Sequence, residues 1–571
     1  MTSIAQELSE IVGKAFTDLD LPKELGHVRV SDRPDLCQFQ CNGAMAAAKQ
    51  ARKNPREIAQ SIADSLAANE IFTKIEIAGP GFINLNVTDS FIAEHLANDK
   101  GIEKSGDGKT AILDYGGPNI AKPMHVGHLR SSIIGDCLRR IMAHAGYKTI
   151  GDVHMGDWGT PMGMILSELD IMGHKGDVTM EQLAEVYPKA AADCKADESR
   201  MEAARAATKK LQDGDEAYTK RWRQFIDISI EGMKANFDAL GVHFDEWKGE
   251  ADAHPLIAPM VEDFKSRNIA KEDNGALVVN VAKEDDKKEI PPLILLKSDG
   301  AVMYSTTDLA TIIDRTRTHT PAKIIYIVDQ RQSLHFEQVF RTAEIGELIT
   351  DGTPELVFAG FGTMNGTDGK PFKTRAGGVM RLEDLISQGL EKATARLNET
   401  NLADDISQDE RTDIANKVAL AAIKFADLQN QRQSDYIFDL DRMTSFEGKT
   451  GPYLLYQAVR IKSLLQKAEK QHGTLDENTP LTLDENDRSL ALLLCEFPDH
   501  FEQALKNYAP HILCDYAYKC AQEFSAFYAR CHILSEDDTE LRNSRLALCT
   551  KTHKQLVLIL GLLGIEIPNR M

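Results

Sequence analysis

Two histidines three residues apart, His125 and His128, flank Gly127 where a short apolar strand runs through a Gly/Pro/Asn loop into a helix. Lys122 precedes them by one helical turn's worth of chain. Backbone N–H groups at a helix N-terminus favour phosphate. Two imidazoles there can donate hydrogen bonds to phosphate oxygens as charge builds during an in-line displacement. A glycine between them lets a flat ring approach the backbone. These parts suit a nucleophile attacking the α-phosphate of ATP, with pyrophosphate leaving. A bare His-x-Gly-His is as readily two histidines near a helix cap; the strand, the loop and the lysine tip the balance toward chemistry.

The elements that must hold this site alternate. Thr110–Tyr115 is a short apolar strand, and Leu129, Ile133, Ile134, Cys137, Leu138 and Met142 mark the buried face of the following helix. Tyr147–Val153, Lys323–Val328 and Glu355–Ala359 are further strands, with a helix from about Leu334 between the last two. Strands alternating with helices predict a parallel sheet of Rossmann type. Residues 165–290 form a charged segment of helical periodicity, an insertion in the sheet domain. Residues 1–105 read as a small α+β unit. Its helices carry Ile4, Leu8, Ile11, Val12 and Phe16 and then span Pro55–Ala67, and Gly79-Pro80-Gly81 separates two alternating strands. Residues 446–571 read as all-helical. The expectation is a multidomain α/β protein with units at 1–105, 106–445 and 446–571.

The chain has 571 residues, of which 42% are hydrophobic and 27% charged, so it can bury large cores. A formal charge of −21 argues against non-specific adhesion to nucleic acid or membrane, but leaves room for a local RNA site. Nine scattered cysteines without CxxC or zinc spacing predict reduced, packed thiols, a cytoplasmic location and no structural metal. The N-terminal stretch, with early acids and no apolar core, does not read as a signal peptide. The longest apolar run, Leu556–Ile565, falls far short of the ~20 residues of a spanning helix, so no membrane partner is expected. Gly106–Thr110 and Gly448–Thr450 imitate the end of a phosphate-binding loop, but Glu103 and Met443 occupy its first glycine position.

The stretch Pro118-Asn119-Ile-Ala-Lys122-Pro-Met-His125-Val-Gly127-His128-Leu-Arg130 resembles the "HIGH" signature of class I aminoacyl-tRNA synthetases, and the arginyl-tRNA synthetases in particular. His154–Gly159, Lys297–Asp308, Tyr326–His335, Ser445–Tyr453 and Ile567–Met571 resemble further segments of that family, in order along the chain. The resemblance implies ATP with Mg²⁺, L-arginine and tRNA(Arg) as partners, and a monomer. It assigns His125, His128, Lys122 and Lys373 to catalysis, and adds Gly127, His335, Met364 and Lys370 to the nucleotide contacts.

The same resemblance places Asp114 and Asn119 at the α-amino end of arginine and Tyr304, Asp308 and Gln332 around its side chain. The chemistry agrees: a guanidinium is a planar fork of donors that pairs best with carboxylates. Tyr304 and Asp308, four apart, share one helix face. Alone they would read as a core aromatic and a capping acid. The second class I signature, usually KMSKS, is replaced here by Asp368-Gly-Lys370-Pro-Phe372-Lys373-Thr374-Arg375-Ala-Gly-Gly378. Lys122 and Lys373 are therefore expected to share the neutralisation of pyrophosphate.

For RNA, the resemblance points to Phe39, Gln40 and Asn42 in the N-terminal unit, beside Lys49, Arg52, Lys53 and Arg56. In the C-terminal unit it points to Tyr453, Arg460, Tyr528 and Met571. Splayed bases are held by stacking and by edge hydrogen bonds. Helix packing is the competing reading for each aromatic. Two other functions fit part of the pattern. A small-molecule nucleotidylyltransferase would need the sheet and histidines only, and a non-catalytic relative would have lost the histidines or the acids.

Overall fold

A computed structural model of the chain describes residues 3–98, 101–174, 176–350, 352–370, 380–399, 406–474, 476 and 479–571. Its centre is a four-stranded parallel sheet ordered Glu355–Phe358, Lys323–Tyr326, Thr110–Asp114, Lys148–Asp152. In chain order this is fourth, third, first, second, so the crossovers diverge between Thr110–Asp114 and Lys323–Tyr326. Such a switch point opens a crevice at the carboxyl ends of the strands. Asp114 and the loop to the histidines leave from one side of it, and Ile327–Gln332 from the other.

The strands are apolar on both faces because both faces are covered. Ile112, Ile324 and Tyr326 point into one core, while Ala111, Leu113 and Ile325 point into the other. The second of these cores also contains the signature helix Gly127–His144 and continues into the C-terminal helices and the N-terminal unit.

The N-terminal unit is a helix-backed antiparallel sheet ordered Val28–Val30, Phe39–Cys41, Phe82–Val87, Phe72–Ala78. It docks on the C-terminal helices: Arg488 bonds Asp89, and the Lys551 ammonium donates to the Leu96 carbonyl at 3.0 Å. The C-terminal unit is helical, with Gly451–His472, Arg488–Leu494, Phe497–Lys506, Pro510–Arg530 and Thr539–Leu562. The insertion contains the long helices Met180–Ala196, Glu198–Gln212 and Glu216–Ala239, but it is not purely helical. Residues 270–296 make a three-stranded antiparallel sheet, Ala270–Asp273, Ala276–Val279 and Leu293–Leu296. Its first hairpin turns through Asn274 and Gly275, both at positive φ, the requirement of a tight two-residue turn. These strands are too short for their alternation to stand out in a charged segment.

Candidate active site

The histidine pair is organised by its own backbone. The His125 amide donates to His128 Nδ1 at 3.1 Å, and the Gly127 amide donates to His125 Nδ1 at 3.1 Å. With both Nδ1 atoms accepting, each neutral ring carries its proton on Nε2, where it can be donated outward. The rings stack with centroids 4.0 Å apart. Burial, the neighbouring His125 and Lys122 push His128 down to about 3, and burial with Lys122 also lowers His125. The pair is thus two neutral donors at neutral pH. A Cβ on Gly127 would lie 2.8 Å from the His125 ring, so glycine is required for this arrangement.

The segments on either side of the second signature border the first. The Met380 carbonyl accepts from the Val126 amide at 3.0 Å and the Leu382 amide donates to the Met124 carbonyl at 3.1 Å, so the chain leaving the lysine loop pairs with the histidine segment. On the entering side, Met364 is buried in the short strand Met364–Asn365, paired in parallel with Tyr436–Ile437. Lys370 is exposed, and its amide donates to Asp368 Oδ1. Lys373 lies outside the described residues. Arg130, two residues beyond His128 and 2% exposed, ties these parts together. It donates to Asp427 at 3.1 Å, to the Gly362 carbonyl at 2.7 Å and to the Ser434 carbonyl at 3.0 Å. Lys122 sits with its ammonium 4.1 Å from the Tyr187 ring centre.

Acidic side chains gather beyond the ends of the same strands. Tyr304 and Asp308 occupy the first turns of the helix Tyr304–His319, as their spacing required. Tyr304 is 60% exposed, an open aromatic face. His335, grouped in the sequence with the nucleotide contacts, stands beside Asp308 and Tyr304. Its Nε2 is 2.6 Å from Asp308 Oδ2, and its ring packs on Tyr304 at 4.7 Å, because the helix Ser333–Ile345 runs beside Tyr304–His319. Asp114 is buried and gives one oxygen to Arg315, which donates at 2.6 Å to both Asp114 and Asp152. Burial raises the Asp114 carboxyl, against the opposing pull of Arg315 and His154. Asp114 therefore enters the site as an acid already held by Arg315, and that bond anchors the Tyr304–Asp308 helix to two strand ends. Asn119 is exposed on the loop. Gly156 pairs with its backbone, and a Cβ on Gly156 would fall 2.2 Å from Asn119 Oδ1. Gln332 is exposed at the start of the helix Ser333–Ile345.

Sequence reasoning missed three members of this group. Glu250 comes from a short helix in the insertion, and burial, with Asp157 and Asp308 adding repulsion, raises it to about 7. Asp157 is raised to about 6, chiefly by burial. His154 lies close enough to oppose both shifts, and both of its ring nitrogens are buried without a hydrogen-bond partner. Asp157 and His154 belong to a segment quoted for its resemblance alone, and an isolated glutamate in a charged helical stretch carries no signal. Among the described residues no cluster of three or more His, Cys, Asp or Glu suits a metal ion.

The RNA residues divide. Phe39 is 2% exposed, its ring committed to the core, because Phe39 and Cys41 form the inward face of their strand. Gln40 faces the other way and donates to Asn84 at 2.9 Å, and Asn42 keeps a buried Oδ1 without a partner. In the C-terminal unit the Arg460 guanidinium lies 4.5 Å from the Tyr528 ring centre. Tyr453 packs edge-on to Tyr518, and Met571 packs against the core.

Three family models match in order. "Arginyl tRNA synthetase N terminal domain" covers residues 2–87, "tRNA synthetases class I (R), catalytic domain" residues 91–440, and "DALR anticodon binding domain" residues 454–571. The arginine–tRNA ligases of Maricaulis maris and Hyphomonas neptunium are 49% and 48% identical, each aligned over the whole of both chains. The solved arginyl-tRNA synthetase of Plasmodium falciparum superposes with a TM-score of 0.86 at 26% identity over the whole of both chains. That of Thermus thermophilus shares the fold at 0.81 and 22%, also over the whole of both chains.

Proposed function

This chain belongs to the arginyl-tRNA synthetase family, and from that premise we propose how its residues divide the work of an arginine–tRNA ligase. A carboxylate oxygen of L-arginine attacks the α-phosphorus of ATP, which enters as its Mg²⁺ complex. The bond to the β-phosphate bridging oxygen breaks, and arginyl-adenylate and pyrophosphate result. A ribose hydroxyl at the 3′ end of tRNA(Arg) then attacks the arginyl carbonyl, and AMP leaves.

The observation that carries this reading is the pair of histidines whose Nδ1 atoms are engaged by backbone amides, leaving both Nε2 atoms as donors. His125 and His128 stabilise the α-phosphate as charge accumulates, a positioning and electrostatic role that calls for no acid/base dyad. Gly127 and Met364 border the nucleotide; Lys122, Lys370 and Lys373 neutralise the departing pyrophosphate. Asp308 and Glu250 pair with the guanidinium and Tyr304 covers it, with His335 exchanging its bond to Asp308 as the ligand enters. Asn119 and the Arg315-held Asp114 face the α-amino end, and Gln332 stands with the residues around the side chain. Arg460 with Tyr528, Tyr453 and Met571 receive the anticodon region, and Gln40 and Asn42 touch the outer part of the tRNA.

The enzyme works as a monomer in the cytoplasm, a setting supported by nine free, buried cysteines. Arginine-dependent exchange of pyrophosphate into ATP, with and without tRNA, tests the whole reading. Exchange that requires arginine and rises with tRNA supports it. Exchange with another acid and no effect of tRNA would favour a small-molecule nucleotidylyltransferase, and none at all a non-catalytic relative.

A further inference from the structure

The loop that carries Lys122 is held from outside by the insertion. Ala121 is fully buried at φ +60°, a left-handed conformation that a residue with a Cβ adopts only when its surroundings enforce it. Its amide donates to Ser229 Oγ at 2.8 Å, and Ser229, on the helix Glu216–Ala239, is itself fully buried. One residue on, the Lys122 ammonium lies over the ring of Tyr187, from the helix Met180–Ala196. Two helices of the insertion thus grip two consecutive residues just before the histidines. Nothing in an Ile-Ala-Lys sequence favours the reversal at Ala121; the buried bond to Ser229 helps to hold it.

A free lysine has four rotatable side-chain bonds and spreads its charge over many positions. A ring face within about 6 Å of an ammonium narrows that spread without neutralising the charge, as a carboxylate would. A cation meant for the departing pyrophosphate needs this treatment, since a salt bridge would have to break at each turnover. The charge of Lys122 is felt at both His125 and His128, so the held ammonium lies near the histidine pair.

We propose that Tyr187 and Ser229 are positioning residues for arginine activation, acting through Lys122, and that presenting this lysine is a role of the insertion. The proposal rests on the assignment of Lys122 to the leaving pyrophosphate made above.

Pyrophosphate exchange by the full-length enzyme with tRNA present tests it. Lys122→Met measures the lysine itself and is expected to lower kcat. Tyr187→Leu should lower kcat about fivefold, with the KM for arginine within about twofold of wild type, while Tyr187→Phe keeps the wild-type rate. In the Lys122→Met background, Tyr187→Leu should have no further effect. Ser229→Ala should also slow exchange, and Ala121→Gly, which takes positive φ freely, should recover most of that loss. A Tyr187→Leu enzyme as fast as or faster than wild type overturns the proposal, as does an equal loss in both backgrounds. Full activity of Lys122→Met would instead overturn the assignment of Lys122. A fall in thermal stability of Tyr187→Leu that Tyr187→Met avoids, with exchange normal in the latter, would make Tyr187 structural and also overturn it.

Discussion

The pH dependence of arginine binding can be worked out from Glu250. An ordinary glutamate ionises near 4.5, and here burial, with Asp157 and Asp308 nearby, raises it to about 7. That displacement corresponds to roughly 3 kcal/mol against the ionised form in the empty site, at about 1.4 kcal/mol per pH unit. A guanidinium reverses the preference, because it pairs with the carboxylate and not with the neutral acid. Only about a tenth of molecules carry ionised Glu250 at pH 6, and about nine tenths at pH 8. The dissociation constant for arginine should therefore be roughly tenfold weaker at pH 6 than at pH 8. Binding at pH 7 should release about half a proton, read by calorimetry in two buffers of different ionisation enthalpy. Glu250→Gln should bind arginine weakly and lose most of the slope, with Asp157, raised to about 6, supplying what remains at the acid end. The folding stability of the empty enzyme has the opposite trend. The folded state keeps a proton that the unfolded chain gives up near 4.5, so stability from this group falls as pH rises from 4.5 through about 7. Above that, Glu250→Gln should raise the melting temperature, with up to roughly 3 kcal/mol available. An affinity that is flat from pH 6 to 8, with no proton released, would refute the argument even if Glu250→Gln abolished binding.

His128→Asn removes an Nε2 donor from a neutral ring and should lower the activation rate by about 10²–10³, with tRNA affinity unchanged in a filter-binding assay; collapse of tRNA binding would mark the histidine as structural. Because His128 is held down to about 3, its protonation should contribute no acidic limb to the rate between pH 5 and 8. Arg130→Met strands the buried Asp427 carboxylate and should cost about 3–5 kcal/mol of stability by thermal or urea unfolding, largely recovered in Arg130→Met/Asp427→Leu; a neutral single variant would refute the role of the pair. Arg460→Ala should raise the KM for tRNA and leave that for arginine alone, and equal effects on both would exclude it from the RNA surface.

What could be read from the chain alone was local. The pattern His-Val-Gly-His at a strand-to-helix junction carries its own geometry, because the bonds that set both tautomers span only two or three residues. The strands Thr110–Asp114 and Lys323–Tyr326 were visible as apolar runs because a sheet covered on both faces excludes polar residues. Tyr304 and Asp308 shared a face because a helix has a fixed period. Tertiary structure alone decided the rest. Alternation in Phe39-Gln40-Cys41 could not say which side meets the core, and the fold buried the ring and turned the amide outward. Glu250, Arg315, Tyr187, Ser229 and Asp427 look like any other residues of polar helices. Each acquires a role only when folding removes water from around it and brings it against a partner from a distant part of the chain. A charged group has its ordinary affinity for protons in solvent, and burial, a neighbouring charge or a hydrogen bond made on folding changes it.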